Sequence, residues 1–276
     1  MELPDTVASP MTDQHVPHPG FGTSGHEGDS CTENVVRALE AGYRHVDTAQ
    51  MYGNEREVGE AIERADVDRE DVYLATKVKP ANLAHDDVIA STEESLDRLG
   101  VESVDLLYVH WPTDAYDPEE TLPAMDEVAD RGWTRHVGLS NFDVAHLEEA
   151  REILDAPVAA HQIELHPWLQ QDELVDYGRE HEIATVAYCP IMQGRADEDE
   201  TLSAIATDHE ATAHQIALAW HLQRDGVVAI PKGSGDHVEA NFEANRIDLS
   251  DEAVARIDDI ERDERLVDPD AAVWNE

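Results

Sequence analysis

Four polar side chains stand at or just beyond the ends of apolar runs: Asp47, Tyr52, Lys77 and His110. Together they compose an acid–base set. Asp47 is the natural partner of Lys77, and an ammonium beside a phenol favours the phenolate, which is expected to draw Tyr52 down from its unperturbed value of about 10 toward working pH. Tyr52 then becomes a usable proton donor. His110 is suited to hydrogen-bond a carbonyl oxygen and to stabilise the charge that grows on it. The scheme has no nucleophilic serine and no metal. An acid set against a carbonyl also needs a hydride, which no side chain carries, so the arrangement implies a cofactor.

The elements that must hold these groups can be read from periodicity. Short β-branched runs at 43–49, 72–78, 106–111, 134–140, 158–165, 184–191 and 227–231, with an opening run near 20–23, alternate with helical patterns at a repeat of roughly thirty residues. Ser30, Cys31, Thr32 and Glu33 read as a capping box ahead of Val35, Val36 and Leu39, with Gly42 as the stop. Val88, Ile89, Thr92, Leu96 and Leu99 end at Gly100; Thr212 to Gln215 opens another helix, and Ser250 caps one carrying Val254, Ile257 and Ile260. Eight strand–helix units in a chain of 276 residues predict an α/β fold, a single-domain (β/α)8 TIM barrel spanning 1–276. A lead segment of about 1–19 precedes it. A tail of about 262–276 follows, either folding over the barrel mouth or fraying with Trp274 as a stray aromatic. Such barrels place their chemistry at the C-terminal ends of the strands, where Asp47, Lys77, His110, Ser140 with Asn141, Gln162, Tyr188 and Lys232 fall.

Composition narrows the setting. The formal net charge is −43, with 62 acidic residues against 19 Lys and Arg, and lysine is confined to Lys77, Lys79 and Lys232. Such self-repulsion opposes compaction unless it is screened, and at about 1 M salt the Debye length is roughly 3 Å, so the chain reads as a halophile's protein. The carboxylates are scattered over helix positions, which argues against an acidic tail, and they disfavour nucleic acid and anionic membrane as partners. Cys31 and Cys189 make no disulfide framework, and neither a membrane-length apolar run nor a signal-peptide core stands out. A cytoplasmic protein is expected.

Longer stretches around these residues are familiar: Gly-Tyr-Arg-His-Val-Asp-Thr-Ala at 42–49, Met-Tyr-Gly-Asn-Glu at 51–55, Leu-Ala-Thr-Lys-Val at 74–78 and Val-His-Trp-Pro at 109–112. Gly-Leu-Ser-Asn-Phe at 138–142, His-Gln-Ile-Glu-Leu-His-Pro at 161–167, Ala-Tyr-Cys-Pro-Ile at 187–191 and Ile-Pro-Lys-Gly-Ser at 230–234 continue the match in order. The chain resembles the aldo-keto reductase family, in particular its compact microbial members related to diketogluconate reductases. The resemblance implies NAD(P)H-dependent reduction of aldehydes, ketones or keto-sugars, with Asp47, Tyr52, Lys77 and His110 as the catalytic tetrad. It also implies that Ser140, Asn141 and Gln162 hold the nicotinamide carboxamide, that Tyr188 stacks on the ring, that Pro190 and Asn241 contact the cofactor, and that Trp111 shapes the substrate pocket. A monomer or weak homodimer acting on a small carbonyl or alcohol is implied as well.

Some segments depart from that pattern. Gly20-Phe21-Gly22-Thr23-Ser24-Gly25 matches the G-x-G-x-x-G of a Rossmann fold, but Gly28 follows where a helix should begin, so the match is read as a decoy. The resemblance makes it the first strand, with Gly22 and Thr23 near the cofactor and Ser24 where the family often has a tryptophan of the substrate wall. After the eighth strand Lys232 and Ser234 fit a 2′-phosphate site, while His237 takes the place of an arginine and lacks its charged fork. Asp236 beside it would repel phosphate. NADP(H) is thus expected ahead of NAD(H). Histidines 15, 18, 161 and 166 do not have the spacing of a common metal site, so they are read as exposed or structural and no metal is assigned. Two other functions remain to be weighed: a cofactor-binding sensor with slow turnover, and a metal hydrolase on the same fold. The loops at 113–118 and 193–200 reveal no pocket.

Overall fold

The computed structural model describes residues 7–8 and 15–275. Eight strands, β1 (Gly20–Gly22), β2 (His45–Asp47), β3 (Tyr73–Val78), β4 (Val104–Val109), β5 (Thr134–Ser140), β6 (Val158–Glu164), β7 (Ala184–Tyr188) and β8 (Val227–Ala229), pair in parallel in chain order. The cylinder closes where the Gly22 N–H donates to the Pro231 carbonyl at 3.0 Å. A Cβ on Gly22 would lie 2.8 Å from the Ile230 carbonyl oxygen, and one on Gly20 2.4 Å from His45 Nδ1. The first two glycines of the Rossmann-like match therefore serve close strand approach at the barrel seam. Strand and helix alternate as the periodicity predicts, and the fold is a single-domain (β/α)8 barrel.

Ten α-helices occur among the described residues: α1 (Gly28–Ala41), α2 (Glu55–Arg64), α3 (His85–Leu99), α4 (Pro118–Asp130), α5 (Val144–Ile153), α6 (Asp172–Glu180), α7 (Glu200–Asp208), α8 (Ala213–Leu222), α9 (His237–Glu243) and α10 (Asp251–Asp258). Their apolar stripes pack on the outside of the strands, where Val35, Leu39, Val58, Val88, Leu122 and Leu147 form one continuous core. Gly42 and Gly100 end α1 and α3 in left-handed geometry, as read from the sequence. Thr212 to Gln215 opens a helix as read and forms a reciprocal capping box, and Ser250 accepts from the Ala253 N–H. The Ser30 box does not form. The helix starts at Gly28 and leaves Ser30 inside its first turn, with the hydroxyl donating to the Glu27 carbonyl at 2.9 Å.

The barrel interior is filled by alternate strand residues, including Tyr73, Ala75, Leu106, Tyr108, Ala160, Val186, Val228 and Ile230. Val16, from a short ribbon in which Val7–Ala8 pairs antiparallel with His15–Val16, joins them at the N-terminal end of the strands. Of the lead segment 1–19, residues 1–6 and 9–14 lie outside the described residues. At the other end of the chain Ala272 and Val273 are buried and Trp274 meets Trp111 with ring centroids 5.7 Å apart. Of the two readings of the tail, folding over the mouth is the one observed.

Candidate active site

Three adjacent β-strand ends bring the four candidate acid–base groups together. Asp47 closes β2, a 3-10 turn at Gln50–Tyr52 carries Tyr52, Lys77 lies in β3, and His110 follows β4. The Lys77 side chain is fully buried, and its ammonium makes three contacts: it donates to Asp47 Oδ1, to the Thr48 carbonyl at 2.9 Å and to the Tyr52 hydroxyl at 3.4 Å. Since an ammonium has three protons and no lone pair, all of its capacity is used. The other carboxylate oxygen, Asp47 Oδ2, accepts from Gln162 Nε2 at 2.8 Å. The Tyr52 and His110 rings stand edge to face, centroids 5.7 Å apart.

Burial draws Lys77 down, but the Asp47 charge and the bonds to Asp47 and Tyr52 outweigh it, so its ammonium is held above the usual lysine range. Tyr52 departs from expectation. Burial pushes its phenol up, and the opposing pull of the Lys77 charge does not offset this, so its pKa lies above 10 instead of falling toward neutrality. The sequence shows the ammonium but not how dry its surroundings are. Burial, with Lys77 adding to it, also drives His110 well below the ordinary histidine value, leaving a neutral ring near pH 7. Its Nδ1 is buried without a partner, so Nε2 is the atom left for a ligand.

The residues expected around a nicotinamide surround this centre. Ser140 ends β5 and Asn141 follows it in left-handed geometry at φ 64°. Asn141 Nδ2 donates to the His110 carbonyl and to Ser140 Oγ, both at 3.0 Å, while its Oδ1 accepts from the Tyr188 hydroxyl at 2.9 Å. Tyr188 is thus pinned by its hydroxyl and half-buried at the strand end, and Pro190 is buried two residues on. Two amides, a hydroxyl and a fixed aromatic ring suit a planar aromatic carboxamide, so this donor set fits a nicotinamide. Gly22 is buried at the seam, and Thr23 Oγ1 donates to the Asp47 carbonyl at 3.0 Å. Trp111 is half-buried at the mouth, whereas Ser24 is exposed and its carbonyl accepts from Lys232 Nζ at 3.2 Å.

Ser234 and His237 are exposed, and Asn241 is buried with Nδ2 donating to the Lys232 carbonyl at 3.3 Å. This loop also receives Arg37 from α1, which sequence reasoning did not single out. Arg37 donates to Asp236 at 2.8 Å and to Glu239. Glu164, two residues beyond Gln162, is another missed group; it is fully buried and accepts from the Leu266 and Val267 amides of the tail. Its legible signal was a carboxylate set between Ile163 and Leu165 in the run 158–165. His161 and His166 are buried structural groups, not exposed ones: His161 Nε2 accepts from the Phe142 N–H at 3.3 Å, and His166 Nε2 lies 2.8 Å from Glu164. Among the described residues no three His, Cys, Asp or Glu side chains converge to hold a metal.

Comparison with known proteins agrees with this geometry. Residues 20–262 match the model of the aldo/keto reductase family. The methylglyoxal reductase DkgB of Salmonella typhi is 38% identical over 266 residues, covering 94% of this chain and 99% of that protein. A crystal structure assigned to a 2,5-diketo-D-gluconic acid reductase B superposes with a TM-score of 0.91 at 37% identity, covering 98% of this chain and 96% of that one. The Bombyx mori aldo-keto reductase solved in complex with NADP gives a TM-score of 0.86 at 29% identity, covering 93% and 92%. The chain belongs to the aldo/keto reductase family.

Proposed function

We propose that this carbonyl-reducing enzyme uses Tyr52 as proton donor on small aldehydes and ketones, dicarbonyls included. Carbonyl reduction with a nicotinamide cofactor is the chemistry of its family, and the dicarbonyl assignment follows the methylglyoxal reductase to which it is similar. One observation carries the role of Tyr52. Its oxygen accepts a hydrogen bond from the Lys77 ammonium, which can only donate, so the phenolic proton is directed to another acceptor. A nicotinamide held beside these residues would supply the hydride to the carbonyl carbon. Tyr52 passes its proton to the carbonyl oxygen, Lys77 stabilises the oxygen left behind, and Asp47 holds Lys77 in place. Neutral His110 donates from Nε2 to the same carbonyl oxygen and orients it. Trp111 lines the substrate side, and Ser24 leaves the neighbouring wall low and polar.

Ser140, Asn141 and Gln162 would hold the carboxamide, with Tyr188 under the ring and Gly22, Thr23 and Pro190 beside it. For the adenosine end, NADP(H) is the first reading: Lys232, Ser234 and His237 would meet the 2′-phosphate and Asn241 the adenine. Asp236 and Glu239 favour a second reading, NAD(H), because they already occupy the guanidinium of Arg37. The sensor alternative has no support among relatives that carry reductase names. We read the chain as one catalytic unit, with the tail after about residue 262 as part of its substrate wall, in a soluble cytoplasmic setting.

The test is a titration of the purified protein with NADPH and NADH, followed by carbonyl-dependent loss of nicotinamide absorbance. Tyr52→Phe should bind cofactor as the parent does while kcat falls by about 10²–10⁴, the usual contribution of a positioned acid. Undiminished turnover in that variant would remove Tyr52 from the reaction.

A further inference from the structure

Glu164 takes no part in the acid–base set, yet its side chain is as deeply buried as any group in the site. Three nitrogen donors surround its carboxylate: the Leu266 N–H at 2.6 Å and His166 Nε2 at 2.8 Å on Oε1, and the Val267 N–H at 2.9 Å on Oε2. Among the described residues its only ion-pair partner is His166. A buried carboxylate is costly unless hydrogen bonds satisfy it, and here two of the three come from backbone some hundred residues later in the chain.

The contacts continue from this anchor to the mouth. The Glu164 carbonyl accepts from Gln171 Nε2 at 2.5 Å, and Gln171 Oε1 accepts from Arg265 at 3.3 Å. The Arg265 guanidinium lies 3.9 Å from the centroid of the Trp274 ring, whose Nε1 donates to Asp268 at 2.9 Å. Trp274 in turn meets Trp111, the residue after His110. Side chains two apart on a strand share a face, so Gln162, which donates to Asp47, and Glu164, which receives the tail, point the same way from β6.

We propose that Glu164 is a positioning residue: it clasps the tail so that Trp274 completes an aromatic wall with Trp111, and thereby sets the preference for bulky apolar carbonyls over small ones. This rests on the reductase reading above for its kinetic consequence, but not for the clasp itself. A carboxylate is required because every neighbour donates. Glutamine would turn an amide N–H toward one of the donors and lose that bond.

The experiment has two arms on the full chain. Hydrogen exchange, which needs no substrate, reads the Leu266 and Val267 amides; they should be protected in the parent protein and exchange about tenfold or more faster in Glu164→Gln, as loss of a charge-assisted bond implies. Unprotected amides in the parent would overturn the clasp without any variant having to fold. In the kinetic arm Glu164→Gln should raise KM for an aromatic aldehyde roughly fivefold while changing KM for methylglyoxal by less than about twofold, since only the former reaches the aromatic wall. Trp274→Ala should raise the same KM and keep both amides protected, and the double variant should add nothing further. Equal effects on both substrates, or additive effects in the double variant, would reduce Glu164 to a structural support. Protected amides in a protein that reduces no carbonyl would instead leave the clasp standing and sink the reductase reading.

Discussion

At the level of single residues, all three protons of the Lys77 ammonium are engaged, which leaves the Tyr52 proton for another acceptor. The same accounting applies to the loop after β8, where the two carboxylates on Arg37 decide how much positive charge a phosphate would meet. Replacing His237 with Arg should shift preference toward NADPH, and Asp236→Ser should do so too by releasing one arm of Arg37. The ratio of NADPH to NADH dissociation constants is the measurement. A ratio unmoved by both changes would place the 2′-phosphate elsewhere. The identities and strand-end positions of Asp47, Tyr52, Lys77 and His110 were legible because polar residues interrupting apolar runs need a reason. The direction of the Tyr52 shift was not, since desolvation depends on what packs around the ring from elements far apart in the chain.

Strands and helices were legible in proportion to how locally they are determined. The residues 134–140 are β5 as read, and the Thr212 cap forms because both of its partners lie within one turn. By contrast β2 is trimmed to His45–Asp47 from the expected 43–49, and α1 starts two residues before the apparent cap. The contacts of the tail with Glu164 could not be read at all, since nothing near residue 266 signals a partner on β6. The seam between β1 and β8 is likewise a long-range fact written in a local residue type. Gly22→Ala should cost about 1–3 kcal/mol, the range for forcing an added methyl into a packed contact, here against the Ile230 carbonyl. A thermal melt of the variant reads this, and an unchanged midpoint would mean that the seam yields easily.

Over the whole molecule two forces act through solvent. Burial holds seven histidines below the ordinary value: His18 and His161 at about 3, His45 and His221 at about 4, with His26, His110 and His136 lowered as well. Unfolding returns them to about 6.5, so below that pH the unfolded chain binds more protons and stability falls as pH drops from about 6.5 toward 4. Melting followed across this window should reveal uptake of several protons per molecule on unfolding; a flat profile would mean that the histidines are not dry. The charge of −43 acts at all pH values above the carboxylate range, because 19 cations cannot pair with 62 carboxylates. Raising KCl from 0.1 M to about 1 M shortens the Debye length from roughly 10 to 3 Å and should raise the melting temperature. A melting point that falls with salt would contradict the halophilic reading. No helix among the described residues is long and apolar enough to cross a membrane.

The two tryptophans at the mouth have a practical consequence. Trp111 and Trp274 lie 5.7 Å apart at an interplanar angle of 54°, close enough and skewed enough for their indole transitions to couple. A coupled, non-parallel pair gives a signed circular-dichroism band that vanishes when the rings separate. The protein therefore carries its own optical gauge of whether the mouth is walled, readable on unlabelled enzyme during turnover.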